Sequence, residues 1–449
     1  MRKYSINRKR GAAIITAVIF FVVISVTMAV GLSSPVVREY VTARDFEKSK
    51  GAYYLSEAGM EDVLYRIRKP ITVGPAQEVI MLGGNTATTT IYTDSSIKKT
   101  ITSWGDILRN TRRVKSTLTT TTGESFVYGV WAGPGGVYFQ NNSSITGNLY
   151  SAGPVCGGGS TGATCSGGSG TNIITGTSIS GGTTGLNGTI SNIQNQGGAS
   201  MYSGNIKNST ISGGAYCNTI SGSSISTCQT LVSQPPPNLP ITAQDIANWE
   251  AIAVAGGTAT CSGGSNPHFH VNSSGSLGPI KIPCRLEVEG ANTVVTLTGP
   301  VWVTGDIEMK NNFNMRVDPA LTGQSVVLIA DNPANRTSNS RIIIENNPIF
   351  TGASVGNSWV MLISENKSAS IGGAENAIDI QNNAAGDLLL YARLGNILLQ
   401  NNASVKEVTG YKLTLKNNAN VIYSSGLQNA LFTSGPGGVW GIQDWKEGQ

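Results

Sequence analysis

The first 35 residues constrain this chain more than any other stretch. Residues 1–10 (MRKYSINRKR) are polar and strongly basic, Gly11 follows, and residues 12–32 carry no charge. A helix of about 21 residues is roughly 30 Å long, which matches the apolar core of a bilayer. Because the basic residues lie on one side only, the N-terminus is expected in the cytoplasm. The sequence therefore predicts a single-pass protein of the cytoplasmic membrane with an extracytoplasmic remainder.

The small residue before the apolar run is Gly11, whereas a secretory signal is cut after its apolar run. A cut between Gly11 and Ala12 would leave the helix on the mature chain. This arrangement resembles the leader of type IV prepilins and type II secretion pseudopilins. The resemblance implies cleavage after Gly11 by a prepilin peptidase, N-methylation of Ala12 and assembly with other pilin subunits. An uncleaved signal anchor with the same orientation is the alternative.

Most members of that family carry a glutamate at the fifth mature position, where this chain has Thr16. In the filament that carboxylate is thought to neutralise the terminal amine of a neighbouring subunit, and a buried unpaired charge is costly. Tip-type subunits, such as K-type pseudopilins and some PilX-like minor pilins, lack it. The resemblance to them implies a subunit at or near the tip of a filament.

The helix is predicted to continue beyond the membrane, over 12–70, because apolar residues recur there at helical spacing. Pro35 is expected to break or kink it, since proline removes a backbone donor. The stretch 53–69 resembles the end of the pilin spine in PilX-like proteins. Alternating β-branched segments over 71–128 then predict a small antiparallel sheet, as in a pilin head.

Asn-Asn dipeptides beside short apolar strands recur along the rest of the chain. Their second asparagines stand at 142, 312, 347, 383, 402 and 418, and the later spacings are 35, 36, 19 and 16 residues. Such spacings are one or two turns of a coil of about 16–20 residues, which is typical of a solenoid. A β-sandwich is the alternative fold. At the C-terminus, Trp440 and Trp445 are expected to cover an open solenoid end.

The predicted fold class is α+β, with a long membrane-spanning helix, a small antiparallel sheet and a β-solenoid, read as a right-handed parallel β-helix. The expected parts are a leader (1–11), the helix (12–70), the small sheet (71–128), a Gly/Ser/Asn-rich solenoid part (129–233), a Pro-rich linker with a helix (234–257) and a C-terminal solenoid (258–449). Within 157–233 a disordered low-complexity linker is the alternative.

Six cysteines, all beyond residue 150, fit an exported domain. Consecutive pairing is predicted among the fifteen possible connectivities, because each pair then closes a short loop. The predicted pairs are Cys156 with Cys165, Cys217 with Cys228, and Cys261 with Cys284. Zinc is not expected, since no C-x-x-C occurs and the pair His268 and His270 has no third histidine or adjacent carboxylate in the sequence. No cofactor is expected.

The net charge of +5 comes largely from the leader, so no nucleic-acid partner is expected. Enzymes built on β-helices need several carboxylates on one face, and here acids such as Asp306, Asp318 and Asp331 are scattered in the sequence. The prediction is therefore a non-enzymatic surface protein that displays its solenoid for adhesion or surface contact, with glycans or other cell-surface polymers as partners. The alternatives are a polysaccharide-active enzyme and a signal-anchored spacer.

Overall fold

The chain folds into two compact units in a computed structural model that describes residues 9–68, 77–95, 98–120, 126–159, 165, 171–353, 357–424, 426–427, 430–432 and 440–448. One unit, the small unit, takes Met1–Thr119 and Trp440–Gln449, and the other, the large unit, takes Thr120–Val439. In sequence, the large unit is therefore an insertion into the small unit. Residues 1–8 of the predicted leader lie outside the described residues.

The small unit combines one long helix with an antiparallel sheet. Helix α1 (Lys9–Arg68) is followed by strands β1 (Gln77–Leu82), β2 (Asn85–Ser95), β3 (Lys98–Ile107) and β4 (Asn110–Thr120). These strands pair in chain order, each antiparallel to the next. The last strand of the chain, β34 (Trp440–Gly448), lies beside β4.

The predicted break at Pro35 is not present, because α1 is helical from Lys9 to Arg68 with Pro35 inside it. A proline removes one backbone hydrogen bond and crowds the preceding turn. A long helix can keep its remaining hydrogen bonds around that one gap, and in an apolar surrounding unsatisfied backbone groups would cost more. The helix begins before and ends close to the predicted bounds of 12–70.

The second half of α1 packs on the sheet. Met60, Val63 and Leu64 are buried against Ile101 and Leu118 of β3 and β4. Two glycines permit the close approach: a Cβ on Gly105 would stand 2.2 Å from the carbonyl oxygen of Ala52, and one on Gly59 would stand 2.7 Å from Ser103 Oγ. The helix and sheet therefore share one apolar core.

The C-terminal strand corrects the expectation for the last residues of the chain. Trp445 packs against the core of the small unit, and Ser116 Oγ donates to the carbonyl of Asp444 at 3.0 Å. Arg112 Nη1 also pairs with Glu447 Oε1 at 3.0 Å. Residues 440–448 therefore belong to the sheet of the small unit, because strand β4 offers them a hydrogen-bonding edge.

The large unit consists mainly of parallel strands in three sheets. Among the described residues, these are a main sheet of nineteen strands and two side sheets of five strands each. The first half of the unit, before residue 229, supplies seven strands of the main sheet. They are β5 (Val130–Phe139), β7 (Leu149–Ser151), β8 (Val155–Cys156), β10 (Ser178–Ser180), β11 (Thr189–Ser191), β13 (Met201–Lys207) and β14 (Ala215–Ser221).

The second half supplies the other main-sheet strands. They are β15 (His268–Val271), β17 (Ile280–Ile282), β18 (Arg285–Glu289), β20 (Val301–Val303), β21 (Ile307–Lys310), β23 (Gln324–Ala330), β24 (Ile342–Ile344), β26 (Val360–Ser364), β27 (Asn376–Ile380), β29 (Leu388–Leu399), β31 (Glu407–Leu415) and β33 (Leu431–Phe432).

We call each turn of the chain through the sheets a pass, and two side sheets contain the remaining strands of these passes. One contains β6 (Ser144–Thr146), β9 (Ile173–Ile174), β12 (Gln194–Asn195), β30 (Ser404–Val405) and β32 (Asn420–Ile422). The other contains β16 (Gly275–Leu277), β19 (Val294–Leu297), β22 (Asn314–Val317), β25 (Ile349–Thr351) and β28 (Ala385–Gly386). One apolar core runs through both halves of the unit.

The spatial order of the passes differs from their order in the chain. Strand β5 pairs in parallel with β7 and β8 on one side and with β31 on the other. From β5 the chain winds outward to β14 at one end. It resumes at β15, at the opposite end, where β15 pairs with β18, and winds back through β29 until β31 meets β5. We call the β5–β31 pairing the joint; it brings the first and last passes of the unit together.

A strap formed by residues 229–257 connects the two ends across the outer face of the main sheet. Tyr150 Oη donates to the carbonyl of Gln234 at 3.3 Å, and further along Tyr391 Oη donates to the carbonyl of Ile241 at 2.6 Å. The strap contains helix α2 (Ala243–Ala255), which follows its N-cap, Thr242, with a capping box to Asp245. Ile246 and Trp249 of α2 are buried against the sheet.

Stacked Asn-Asn turns fix one corner of the passes. Both asparagines of each dipeptide have positive φ, as at Asn382 (56°) and Asn383 (63°), a region that asparagine tolerates better than most residues. Their amides form two ladders, for example Asn383 Nδ2 to Asn347 Oδ1 at 2.8 Å and Asn402 Nδ2 to Asn383 Oδ1 at 3.0 Å. Asn141, the first in sequence, donates to Asn417 at 2.7 Å, so its dipeptide follows the last one in space.

Candidate functional site

The first half of α1 is the most distinctive exposed surface of the chain. It is long and apolar enough to cross a membrane, and its most apolar window is not buried anywhere within the molecule. Gly11 and Ala12 lie within α1, and Thr16 is exposed one turn further on. A helix that is apolar all round and unburied requires an apolar surrounding. This half of α1 is therefore suited to membrane anchoring.

The six cysteines form three disulfides, Cys156–Cys165, Cys217–Cys228 and Cys261–Cys284. Two of them lie at the ends of the strap. Cys217 belongs to β14, the last pass of the first half, and Cys284 directly precedes β18, in the first passes of the second half. Covalent links therefore fasten the strap where it leaves one end of the stack and where it reaches the other.

The two histidines do have carboxylate neighbours, which the sequence did not reveal. His270 Nε2 lies 3.0 Å from Glu289 Oε1, and His268 Nε2 lies 3.9 Å from Glu287 Oε2. The acids come from β18, the next strand of the stack, so sequence adjacency could not show them. Among the described residues, no group of three or more His, Cys, Asp and Glu side chains is placed to hold a metal ion.

Several predicted candidate acids form ion pairs on the outer surface. Glu308 accepts from Arg285 at 3.1 Å and from Lys310 at 3.0 Å. Burial would raise the pKa of Glu308, but the hydrogen bond and charge of Lys310, with the charge of Arg285, lower it on balance. Asp306 accepts from the backbone of Arg341 at 2.9 Å. These carboxylates are occupied by neighbouring cations and backbone groups.

The remaining isolated acids serve turns and neighbouring strands. Asp318 accepts from the backbone of Ala320 at 2.9 Å, and Asp387 from the backbone of Gly352 at 3.2 Å. Asp379 accepts from Gln400 Nε2 at 2.9 Å. Each of these three carboxylates therefore holds a turn or a neighbouring strand.

Asp331 does converge with another acid. Asp331 follows β23 and Glu365 follows β26, and these strands are neighbours in register. Arg336 binds both oxygens of Asp331 at 2.7 and 2.6 Å, and Arg393 binds both oxygens of Glu365 at 3.0 and 2.8 Å. Asp331 is 0% exposed and Glu365 is 2% exposed. We call these four residues the ion-pair cluster.

Glu250 of α2 lies close to Asp331 and Glu365 of the ion-pair cluster. Burial, followed by the negative charge of Asp331, raises the pKa of Glu250 to about 8. Its Oε1 is buried with no hydrogen-bond partner in the described part of the chain. Nothing in the sequence distinguishes Glu250 from an ordinary helical glutamate. The course of the strap over the main sheet brings it to the ion-pair cluster. Arginines bind both oxygens of each acid in the cluster, whereas Glu250 of α2 reaches it through Asp331.

Aromatic side chains line the outer face of the main sheet along the strap. Lys281 Nζ lies 4.2 Å from the centroid of the Trp302 ring, and at the other end the rings of Tyr202 and Tyr216 stack with centroids 4.4 Å apart. Between them Trp131 and Tyr150 are buried and stacked, 6.2 Å apart. Strand register places such residues on one line, although they are far apart in sequence.

No family model matches the chain, and no curated protein matches it. Among solved structures, the chain is similar to the crystal structure of the competence-associated pilin ComZ from Thermus thermophilus, at 9% identity and a TM-score of 0.21. The match covers 89% of this chain and 97% of that chain. At so low a TM-score the two chains do not share an overall fold.

Proposed function

We propose that this chain is a minor pilin-like or pseudopilin-like protein, anchored by α1 in the cytoplasmic membrane with its N-terminus in the cytoplasm. A prepilin peptidase cuts between Gly11 and Ala12, and Ala12 is then methylated. The mature subunit assembles with other pilin subunits at or near the tip of a type IV pilus-like filament. There its large unit, a right-handed β-solenoid, is displayed for adhesion to glycans or other cell-surface polymers.

The observation that carries this proposal is the difference in burial between the two halves of α1. Its first half is apolar and unburied, whereas its second half packs against an antiparallel sheet through Met60, Val63 and Leu64. A soluble core helix would be buried along its whole apolar length. A simple membrane anchor would not need 60 helical residues. A helix that both anchors and supports a head suits a subunit whose apolar half packs among other helices.

Placement at the tip is supported by Thr16. A subunit inside a filament would bury the terminal amine of a neighbour, and Thr16 offers no negative charge to neutralise it. A subunit with no neighbour ahead of it has no such amine to neutralise. Labelling at filament tips is therefore expected, and labelling along the whole shaft at the level of the bulk subunit would contradict the proposal.

The display role is supported by how the large unit uses its polar groups. The stacked asparagines form amide ladders, and the outer acids form ion pairs, so the surface is regular and largely preorganised. Enzymatic action on a surface polymer is the competing class. Incubation of the full chain with candidate polysaccharides distinguishes them: binding without product supports display, and product release abolished by Asp306→Asn or Asp318→Asn supports an enzyme.

Processing of the leader is the most direct test. We expect Gly11→Leu to block cleavage, so that intact-mass measurement of the protein from its own membrane finds Met1 retained. The matched control is Gly31→Leu, which lies in the same apolar helix with nothing within 4 Å of an added Cβ. Retention of Met1 in the unaltered protein would reduce the proposal to an uncleaved signal anchor.

A further inference from the structure

The contact between α2 and the main sheet contains one carboxylate more than its cations can balance. Glu250 from α2 meets Asp331 and Glu365, while Arg336 and Arg393 supply the two facing guanidinium groups. Arg336 also lies 3.8 Å from Glu365, so the two ion pairs are linked. The other cation near α2, Lys281, lies over the ring of Trp302. Both arginines pair with Asp331 and Glu365, so Glu250 has no ion pair of its own among the described residues and reaches the cluster through its hydrogen bond with Asp331.

Glu250 is partly buried and shares a hydrogen bond with the carboxylate of Asp331, and a hydrogen bond between two carboxyl groups needs one proton. The geometry agrees with this: Arg336 and Arg393 bind both oxygens of Asp331 and Glu365, and Glu250 Oε1 has no partner in the part of the chain that the structure describes. Burial, then the charge of Asp331, keeps the pKa of Glu250 near 8, far above its ordinary value of 4.5. Closure of α2 is therefore linked to one proton.

The ends of the strap cannot leave the stack even if α2 does. Cys217–Cys228 closes the last pass before the strap, and Cys261–Cys284 fastens the chain directly after it. Between these links α2 is held by the burial of Ile246 and Trp249, by the bond from Tyr391 to Ile241, and by the contact of Glu250. A segment fastened at both ends and held by one titrating contact can open and reclose locally.

We propose that α2 is a proton-controlled clasp, which lies closed over the main sheet while Glu250 carries a proton and lifts, still tethered by the two disulfides, when that proton is lost. Lifting exposes the apolar outer residues Ile329 and Ile363 and the ion-pair cluster. An acidic surrounding keeps the clasp closed, and a neutral to alkaline one opens it.

The direction follows from the two protonation states. In the closed clasp Glu250 titrates near 8, and in the open clasp it returns toward 4.5. A raised value in the closed state means that closure is fully stabilised below the open-state value and weakens as pH rises toward the closed-state value. Between those limits the opening constant rises by up to about tenfold per pH unit, and above them it levels off.

Hydrogen exchange of the full chain in detergent micelles tests the clasp. Protection factors for residues 243–255, corrected for intrinsic exchange rates, should fall as pH rises from 5 to 8, by up to about tenfold per unit. Glu250→Gln should remove this slope, because the amide stays neutral. Glu375→Gln is the matched control, since Glu375 is paired with Arg341 away from α2, and it should leave the slope unchanged.

Two results would overturn the clasp. One is protection of α2 that does not change with pH in the unaltered chain; the other is a slope that survives Glu250→Gln. If Glu250→Gln does not fold, Asp331→Asn serves instead, because it releases Arg336 to pair with an ionised Glu250. That variant should flatten the slope, and an unchanged slope would equally contradict the proposal.

Discussion

The two halves of the large unit form one stack of parallel strands but differ in the side chains that they bury. The second half fills its strands with aliphatic residues, and β26 (Val360–Ser364) is buried at every position. The first half shares the apolar core but also buries small polar residues in its short strands, including Ser178 and Ser203. Two of the three disulfides, Cys156–Cys165 and Cys217–Cys228, lie in this first half.

The difference shows what a stacked sheet requires of its side chains. Backbone hydrogen bonds between passes are the same in both halves, so register does not depend on the residue type. The free energy of unfolding does depend on the residue type. Polar side-chain atoms without a hydrogen-bond partner among the described residues are buried at Asn172, Ser178 and Ser203, and each such atom costs roughly 1–3 kcal/mol. Disulfides restrict the unfolded chain and offset part of that cost. The polar half is therefore expected to depend on covalent links and the apolar half on packing.

The largest expected effect removes packing from the second half. Phe350 is 1% exposed and meets the ring of Phe313 edge to face, with centroids 5.9 Å apart. Phe350→Ala should lower the free energy of unfolding by about 3–5 kcal/mol, through lost burial and a cavity. Chemical denaturation of the full chain in micelles measures it, with the exposed Ile422→Ala as control. A loss below about 1 kcal/mol would mean that packing does not distinguish the halves.

Removing a disulfide should act on the first half alone. The double variant Cys217→Ala with Cys228→Ala should cost roughly 2–4 kcal/mol, because the closed loop no longer restricts the unfolded chain. Hydrogen exchange should accelerate over 171–229 and remain unchanged over 324–415. Equal acceleration in both regions would show that the unit opens as one cooperative body, which would remove the contrast.

A buried glutamate near the joint sharpens the comparison through pH. Glu407 of β31 is fully buried, which raises its pKa to about 8, and Thr409 Oγ1 donates to its Oε1 at 2.6 Å. Because the folded value lies above the ordinary 4.5, stability is greatest below that value and declines as pH rises toward 8. The decline is at most about 1.4 kcal/mol per pH unit.

Glu407→Gln should flatten that decline in thermal unfolding of the full chain between pH 5 and 8. Glu375→Gln, an exposed glutamate of the same unit that pairs with Arg341, is the control and should behave like the unaltered protein. The pH dependence is expected over the joint, and exchange confined to 243–255 would instead assign the effect to Glu250. A decline unaffected by Glu407→Gln would show that Glu407 is already ionised in the folded state.

The smallest expected effect concerns the amide ladders. Asn383 has φ of 63° and joins Asn347 and Asn402 by amide hydrogen bonds. Asn383→Ala should cost about 1–2 kcal/mol, because alanine loses the bonds and tolerates positive φ poorly. Asn383→Gly loses the same bonds but tolerates the backbone, so its cost should be about half as large. Equal costs for the two variants would assign the whole effect to the amides.

Particular residues show how far the sequence could predict this molecule. The Asn-Asn dipeptides indicated stacked turns, and Thr242 marked the start of α2. The sequence could not show that the turn at Asn142 stacks beyond the one at Asn418, because the chain starts in the middle of the stack and fills its far end later. For the same reason it could not bring Glu250 to Asp331. Trp440 and Trp445 marked the final strand as partly apolar, but its residues do not name the sheet it joins.

The insertion of the large unit has a mechanical consequence. The chain leaves the small unit after β4 and returns to it at β34, and these two strands are neighbours in one sheet. A pull on the large unit is therefore divided between two covalent attachments, which end on adjacent strands. If a protease cuts one connection, the other still holds the unit to its anchor. The large unit is thus fastened at both of its ends to one sheet, as a loop is, and not at one end, as a tail is.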